Sequence, residues 1–417
     1  MDYMQKISWL LLWVLALGDM ELPAESVMVN QAFLTTPVRV TALNTGNNQL
    51  LYFTSSSLTA DDQHLVFIGD RTGNPNLFTR DLVTGAERQL TTNTEGVLKA
   101  YVYFNGFPYR GFGKGSVSLD SRKGMVYYLQ GREIRVVKLN GETRILAELP
   151  ANQMTAFTHV SADGTRLCVP TTDARALDGD TQLKDRPTYD IDQRVQQEHL
   201  VSYLRVYDTE TGKEIACEPV TNAWITHVQF SPRDPHLILY NHEWCSQSGI
   251  RRMWLWDGQR HIRLRPEGEG RQRDDWTCHE MWERDGSAII YHGNYTNGVS
   301  YVGRVLPDGT GHVEIALPPD WKRYGHFTVG HPGELVTDGC YQLSADKKWG
   351  GDWISKLKVD WAAHRIAWLP LAKHGTSWQS QDCHPHPIYD FAANKIYFTS
   401  DVGGNRAVYM INVPHPD

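Results

Sequence analysis

Short runs rich in Val, Ile, Leu and Tyr alternate along most of the chain with tight polar turns, the pattern of strands rather than of amphipathic helices. One unit recurs: an apolar strand, a turn of Ser, Asp, Gly or Pro, a second strand, a loop, a third strand, a turn and a fourth. Its first turn stands in LTADDQHLVFIGD (58–70), VSLDSRKGMVYYL (117–129), VSADGTRLCVP (160–170) and VQFSPRDPHLILY (228–240). It returns in MWERDGSAIIYHG (281–293), FTVGHPGELVTDG (327–339) and IYDFAANKIYFTS (388–400). Outer strands joined by an x-T-G turn follow, as in NLFTRDLVTGAERQLT (76–91) and LRVYDTETGKEIACEP (204–219). Four strands repeated seven times predict an all-β fold, a seven-bladed β-propeller of four-stranded antiparallel blades, which limits exposed edges by radial repetition. We expect one propeller domain over residues 30–417. The stretch 37–53 has no repeat of its own and is expected to close the ring against the last blade. The third repeat carries an insertion at about 173–199 with a charged, helical part, DIDQRVQQEH, which either covers a face of the propeller or forms a solvated loop.

A closed repeat array also accommodates 417 residues, more than one ordinary core holds. Hydrophobic residues at 41% and charged residues at 21% exclude a disordered polymer, a collagen and a multi-span membrane protein. A net charge of −7 provides no basic face, so nucleic acid is excluded as a partner. Six cysteines stand singly without a C-x-x-C, which gives neither a zinc knuckle nor a thioredoxin-like site. Lys6 precedes the apolar run ISWLLLWVLALG (7–18), too short to span a bilayer and suited to a signal-peptide core. Residues 1–25 are therefore expected to be a signal peptide and the protein periplasmic or secreted. Asp2 in the leading segment and the lack of a small-x-small cleavage site before Ala24 keep a cytoplasmic chain with an over-extended start as the alternative.

Candidate chemistry comes from where the histidines fall in the repeat. In a propeller the start of each inner strand and the end of each second strand lie at one end of the central channel. His159, His227, His279, His326 and the pair His384 and His386 all precede or begin an inner strand, and His242 ends a second strand. Each alone reads as a polar cap or spacer. As a set they are expected to converge, and imidazoles with few carboxylates suit Mn, Fe, Co, Ni or Zn rather than Ca or Mg. His384 and His386, two apart in an extended segment stiffened by Pro385 and Pro387, can share one ion, with the neutral oxygen of Gln381 within reach.

At these residues the chain resembles the oligogalacturonate lyases of polysaccharide lyase family 22, seven-bladed propellers that use a divalent metal, commonly manganese. The likeness runs from about Gly46 to the C-terminus. It is densest in YFTSSSLTADDQHLVFIGDRTG, NHEW with RRMWLW, CHEMWERDGSAIIY, TSWQSQDCHPHP and FTSDVGGNRAVYMINVP. The resemblance implies His279, Gln381, His384 and His386 as metal ligands, most simply for Mn²⁺, and His242 as the proton-abstracting base. It also implies a substrate-facing arginine four residues after the position of His227. Ser231 stands there instead, with Arg233 two residues on, which leaves the choice of uronide open.

The implied reaction, β-elimination in a 4-linked uronide, removes the C5 proton beside a carboxylate and expels the C4 oxygen. A cation on that carboxylate and a neutral imidazole, of ordinary pKa about 6.5, are the parts it needs. An anionic oligogalacturonide approaching a chain of net charge −7 also needs local cations, because charge is screened beyond about 8 Å. The candidates are Arg71, Arg110, Lys114, Arg233 and Arg251 or its neighbour Arg252, with His227 beside them. The loop YVYFNGFPYRGF (101–112) either stacks on sugar rings or packs between blades. No G-x-S-x-G elbow, P-loop or H-E-x-x-H is present. Two readings stay beside the oligogalacturonate lyase: a lyase of the same fold acting on another uronide, and a non-catalytic Tol-type binding propeller.

Overall fold

The structure is a computed structural model that describes residues 27–29, 35–41, 46–96, 113–176, 190–243, 252–265, 276–318, 325–339 and 351–414. The expected signal segment 1–25, the aromatic loop 101–112 and Arg251 lie outside the described residues. Among those described, no helix is long and apolar enough to cross a membrane.

Seven separate sheets, antiparallel but for one added strand, follow one another in chain order. Their inner strands are Asn48–Leu50, Val117–Asp120, Gln153–Thr155 with His159–Val160, Val228–Phe230, Trp276–Trp282, Phe327–Val329 and Ile388–Tyr389, which we number as blades 1 to 7. Inner strands touch between blades 2 and 3, 3 and 4, 5 and 6, and 6 and 7, and the inner strand of blade 1 meets Lys395–Ser400 and Ala407–Asn412 of blade 7 to complete the circle. The fold is the seven-bladed β-propeller read from the repeat.

Both faces of each blade are covered by its neighbours, which is why second strands read as continuous apolar runs: Val66, Phe67 and Ile68 are all fully buried. Cores lie between blades. Val66, Ile68 and Leu77 of blade 1 pack on Val117, Leu119 and Val126 of blade 2. Cys168, Leu204 and Val206 of blade 3 pack on Val228, Ile238 and Tyr240 of blade 4.

The N-terminal stretch is shared between three blades. Val27–Val29 runs parallel to Ile366–Trp368 and adds a fifth strand to blade 6, upstream of residue 30 where the propeller was expected to begin. Val38–Arg39 pairs with Tyr409–Met410 and supplies the outer strand of blade 7, closing the ring. Asn48–Leu50, also part of the stretch expected to close the ring, is instead the inner strand of blade 1.

After Leu50 the chain leaves its sheet and crosses the channel as an irregular segment, 51–57. The Tyr52 N–H donates to the Lys114 carbonyl (3.2 Å) and the Ser55 hydroxyl accepts from the Leu119 N–H (3.2 Å), both on blade 2. Tyr52 also packs on Phe157 and His227, at ring distances of 4.2 and 5.4 Å, on the approaches to blades 3 and 4. Phe53 packs on His279, His326 and His386, of blades 5, 6 and 7, at 5.4 to 5.7 Å. A segment touching every blade lies on the axis, so residues 51–57 plug the channel.

The insertion in blade 3 contains the helix Asp190–Gln197, whose Ile191 and Val195 are fully buried against Met154, Ala176, Leu200 and Trp224. Its apolar face is therefore packed rather than solvated; residues 177–189 lie outside the described set. Trp224 is the anchor of this small core, so Trp224→Ala is expected to cost about 3–5 kcal/mol. A thermal melt showing a change of less than about 1 kcal/mol would contradict that packing.

Candidate metal centre

The channel end where inner strands begin gathers four imidazoles. His326 precedes Phe327–Val329, and His384 and His386 lie between the short 3₁₀ turn Gln381–Cys383 and Ile388–Tyr389. One nitrogen from each of these three rings lies within 4.8 Å of the others, close enough for a common cation. The His279 ring stands 4.4 Å from that of His326, centre to centre.

Local backbone geometry aims two of these rings. Register slips between Cys278 and Met281, a β-bulge that gives His279 a left-handed backbone (φ 50°). His386 is left-handed as well (φ 46°). Such conformations cost of order 1–3 kcal/mol in a non-glycine residue and gather at functional sites.

Each ring is held from behind by a different kind of group. Asp338, at the end of the second strand of blade 6, accepts the His326 backbone N–H at 2.6 Å, the His326 Nδ1–H at 3.0 Å and the His386 backbone N–H at 3.1 Å. Gly325 makes room for this, since a Cβ there would collide with Asp338 Oδ1. Burial pushes the Asp338 carboxyl up to about 6. Behind His386 stands Lys114, only 1% exposed, with Nζ 2.8 Å from His386 Nδ1 and 3.3 Å from the Gln381 carbonyl. Burial brings the ammonium down to about 8. His386 Nε2 faces inward, buried and without a hydrogen-bond partner among the described residues. His279 Nδ1 meets His292 Nε2 at 2.8 Å. Burial first, then neighbouring positive groups, holds the rings of His279, His326 and His386 well below the usual imidazole range.

This arrangement fits a divalent transition metal. Neutral imidazoles offer bare nitrogens, Asp338 supplies the carboxylate commonly found behind a metal-binding histidine, and His386 Nε2 has no other described use.

A second polar layer lies beside the cluster. Arg252 is buried, with Nε 2.9 Å from Glu280 Oε2 and Nη1 3.1 Å from Glu243 Oε1. His227 Nδ1 lies near Thr226, Asn241 and Arg252, and its Nε2 is 3.1 Å from the Tyr52 hydroxyl. Asn241 and Glu243 face this layer, whereas His242 between them turns to the other side of its strand. There its ring stacks on Trp254 (5.2 Å, 19°), and neither nitrogen has a partner among the described residues.

Burial, with His261 nearby, lowers His242 to about 3. The unfolded chain takes up that proton near pH 6.5, so between these values acid favours unfolding by about 1.4 kcal/mol per pH unit. In chelator, the melting temperature is expected to fall from pH 6.5 to 4 more steeply for the parent than for His242→Ala; equal slopes would show that His242 is not held neutral.

The other candidates are placed as follows. Arg71 is paired with Glu87 (2.5 Å) and lies over the Phe78 ring (4.2 Å). Arg233 is largely exposed beside Asp285, and the Ser231 hydroxyl accepts its N–H at 3.2 Å. Both belong to the turn after Val228–Phe230, at the opposite channel end from His227. Gln381 is half-buried in its 3₁₀ turn. Arg110 and Arg251 lie outside the described residues.

His159 departs from expectation. The inner strand of blade 3 begins at Gln153, not at His159, and is interrupted at 156–158, so His159 lies farther along the channel. It lines a cavity of about 440 Å³ with Phe53, Phe230 and the turn residues Ser121, Ala162 and Pro232, at the end away from the metal cluster. His326 was placed on the axis but not among the expected ligands, and Asp338 and His292 were not anticipated. Asp338 had a legible counterpart: Asn241 ends the second strand of blade 4 and caps the His227 N–H at 2.8 Å in the same register.

A family profile described as oligogalacturonate lyase matches residues 34–416. An oligogalacturonide lyase of Pectobacterium atrosepticum and an oligogalacturonate lyase of Dickeya dadantii are each 28% identical over 210 residues, 46% of this chain and 51% of theirs. The chain thus spans about half the length of the curated relatives it matches. The crystal structure of an oligogalacturonate lyase from Vibrio parahaemolyticus superposes with a TM-score of 0.73 at 21% identity, covering 92% of this chain and 96% of the other. An oligogalacturonate lyase in complex with manganese gives 0.70 at 20% identity, covering 92% and 99%. These two likenesses bear on the fold, whereas the profile spans nearly the whole chain: it belongs to the oligogalacturonate lyase family.

Proposed function

We propose that this protein is a metal-dependent lyase that cleaves short oligogalacturonides, fragments of pectin, by β-elimination, leaving a 4,5-unsaturated uronate end. The observation that carries the reading is the set of three convergent imidazoles, His326, His384 and His386, with a buried bare nitrogen on His386, in a chain of this family. His279 and Gln381 complete the set of residues that would hold the metal, and Mn²⁺ is the ion we assign, by analogy with the relative solved with manganese. When bound, the ion supplies a Lewis acid for the substrate carboxylate, worth several kcal/mol of stabilisation as charge develops beside it.

The residues of the chain do the rest. Burial brings Lys114 down to about 8, and as a neutral amine it accepts the His386 Nδ1 proton across 2.8 Å, the arrangement that leaves His386 Nε2 bare for a cation. Arg252, held by Glu243 and Glu280, fixes the wall beside it. His242 is the base: its ring stays neutral through the physiological range, and its nitrogens are not committed to described partners. Asp338 holds two of the cluster histidines through three hydrogen bonds, so little reorganisation is needed when substrate arrives.

The test is ultraviolet absorbance of the conjugated uronate after mixing the protein with digalacturonate or trigalacturonate, with Mn²⁺ or with chelator. A metal-dependent rise is expected. Silence on both substrates, with metal bound, would move the activity to another uronide. Silence without bound metal would leave a non-catalytic propeller.

A further inference from the structure

His292 has no role in the reaction just described, yet it is 1% exposed and its Nε2 lies 2.8 Å from Nδ1 of His279. Two neutral imidazoles at that distance share one proton, and its position decides whether His279 can bind a cation. If His292 Nε2 carries it, His279 Nδ1 is the acceptor, the proton of His279 must sit on Nε2, and that nitrogen is blocked. If His279 Nδ1 carries it, His279 Nε2 has a bare lone pair.

Three observations select the second arrangement. His279 Nδ1 is the nitrogen taken up by His292, so the one left for a cation is Nε2, and the shared proton then belongs on His279 Nδ1. A neutral His292 then carries its own proton on Nδ1 and accepts at Nε2. His326 repeats the arrangement one blade on, with its Nδ1–H donated to Asp338. Finally, the His292 ring is held edge to face against Phe327 at 5.4 Å, so it cannot swing away from His279 without disturbing the core between blades 5 and 6.

We propose that His292 is the positioning residue of His279: it accepts the Nδ1 proton, fixes the tautomer whose Nε2 is bare, and thereby makes His279 a metal ligand. The inference rests on reading the cluster as a metal centre. It assigns to a neutral imidazole the part that the Asp338 carboxylate plays for His326. Neutrality matters, because a second carboxylate would add negative charge where an anionic uronide is to be bound.

Loss of such an outer partner typically weakens metal binding by about 10- to 100-fold. His292→Leu, stripped with chelator and titrated with Mn²⁺ by calorimetry and electron paramagnetic resonance, is therefore expected to bind about 10- to 100-fold more weakly than the parent. His292→Gln, whose side-chain oxygen can accept the same proton, is expected to recover most of that affinity. Nitrogen-15 spectra of histidine-labelled, metal-free parent should place the His279 proton on Nδ1, a readout that needs neither activity nor a folded variant. Parent-like Mn²⁺ affinity in His292→Leu, or a parent His279 protonated on Nε2, would overturn the proposal while leaving the metal centre intact. A parent that takes up no Mn²⁺, Co²⁺ or Zn²⁺ would overturn the metal reading and this inference together.

Discussion

Replacing His384 by alanine is expected to release the divalent ion and reduce turnover of digalacturonate by about a thousandfold or more. The ring contributes one of the three nitrogens that lie within 4.8 Å of one another. Without it the pair His384 and His386 is broken, and the ion keeps only His279, His326, His386 and the neutral amide of Gln381, a weaker hold. If the ion is worth about 4 kcal/mol to the transition state, its loss corresponds to about three powers of ten. His384 is a better choice than His386, because His384→Ala leaves the contact between Lys114 and His386 in place, whereas His386→Ala would take from the buried Lys114 its side-chain partner. Metal content and the rate of absorbance increase should fall together, and excess Mn²⁺ should rescue chelator-treated parent but not the variant. Turnover within tenfold of the parent would show that the cluster is not the site of the chemistry.

His242→Ala should separate binding from proton transfer. Here metal content is expected to stay at the parent level, since His242 stacks on Trp254 rather than on any cluster histidine, while kcat falls by about 10²–10⁴. The Michaelis constant should move little, because a base that acts in the transition state adds little to ground-state binding. Near-normal turnover would remove His242 from the reaction. The next residue to test would then be His227, whose Nε2 lies 3.1 Å from the Tyr52 hydroxyl.

Blade number was legible because each turn carries its own chemistry and second strands such as HLVFIG are apolar on both faces. The axial placement of His279, His326, His384 and His386 followed from that count. His159 failed for a local reason: the inner strand of blade 3 starts at Gln153 and breaks, which a repeat aligned on its turn does not reveal. The expected cations were the least legible part. Arg252 is held between Glu243 and Glu280, 9 and 28 residues away along the chain. Arg71 is held by Glu87, and no sequence spacing announces such partners across strands and blades. Asp338 and His292 belong to the same class, because their significance lies in what stands opposite them once the ring has closed.

The plug formed by residues 51–57 gives the molecule a one-way geography. Phe53 presents its ring to His279, His326 and His386 while also lining the cavity at the opposite mouth, so the two ends of the propeller are separate rooms sharing a wall. A polymer cannot be drawn through such a molecule as thread through a bead. Under the proposed function, a uronide would reach the histidine cluster and both fragments would leave by the same mouth, because residues 51–57 close the way through to the other.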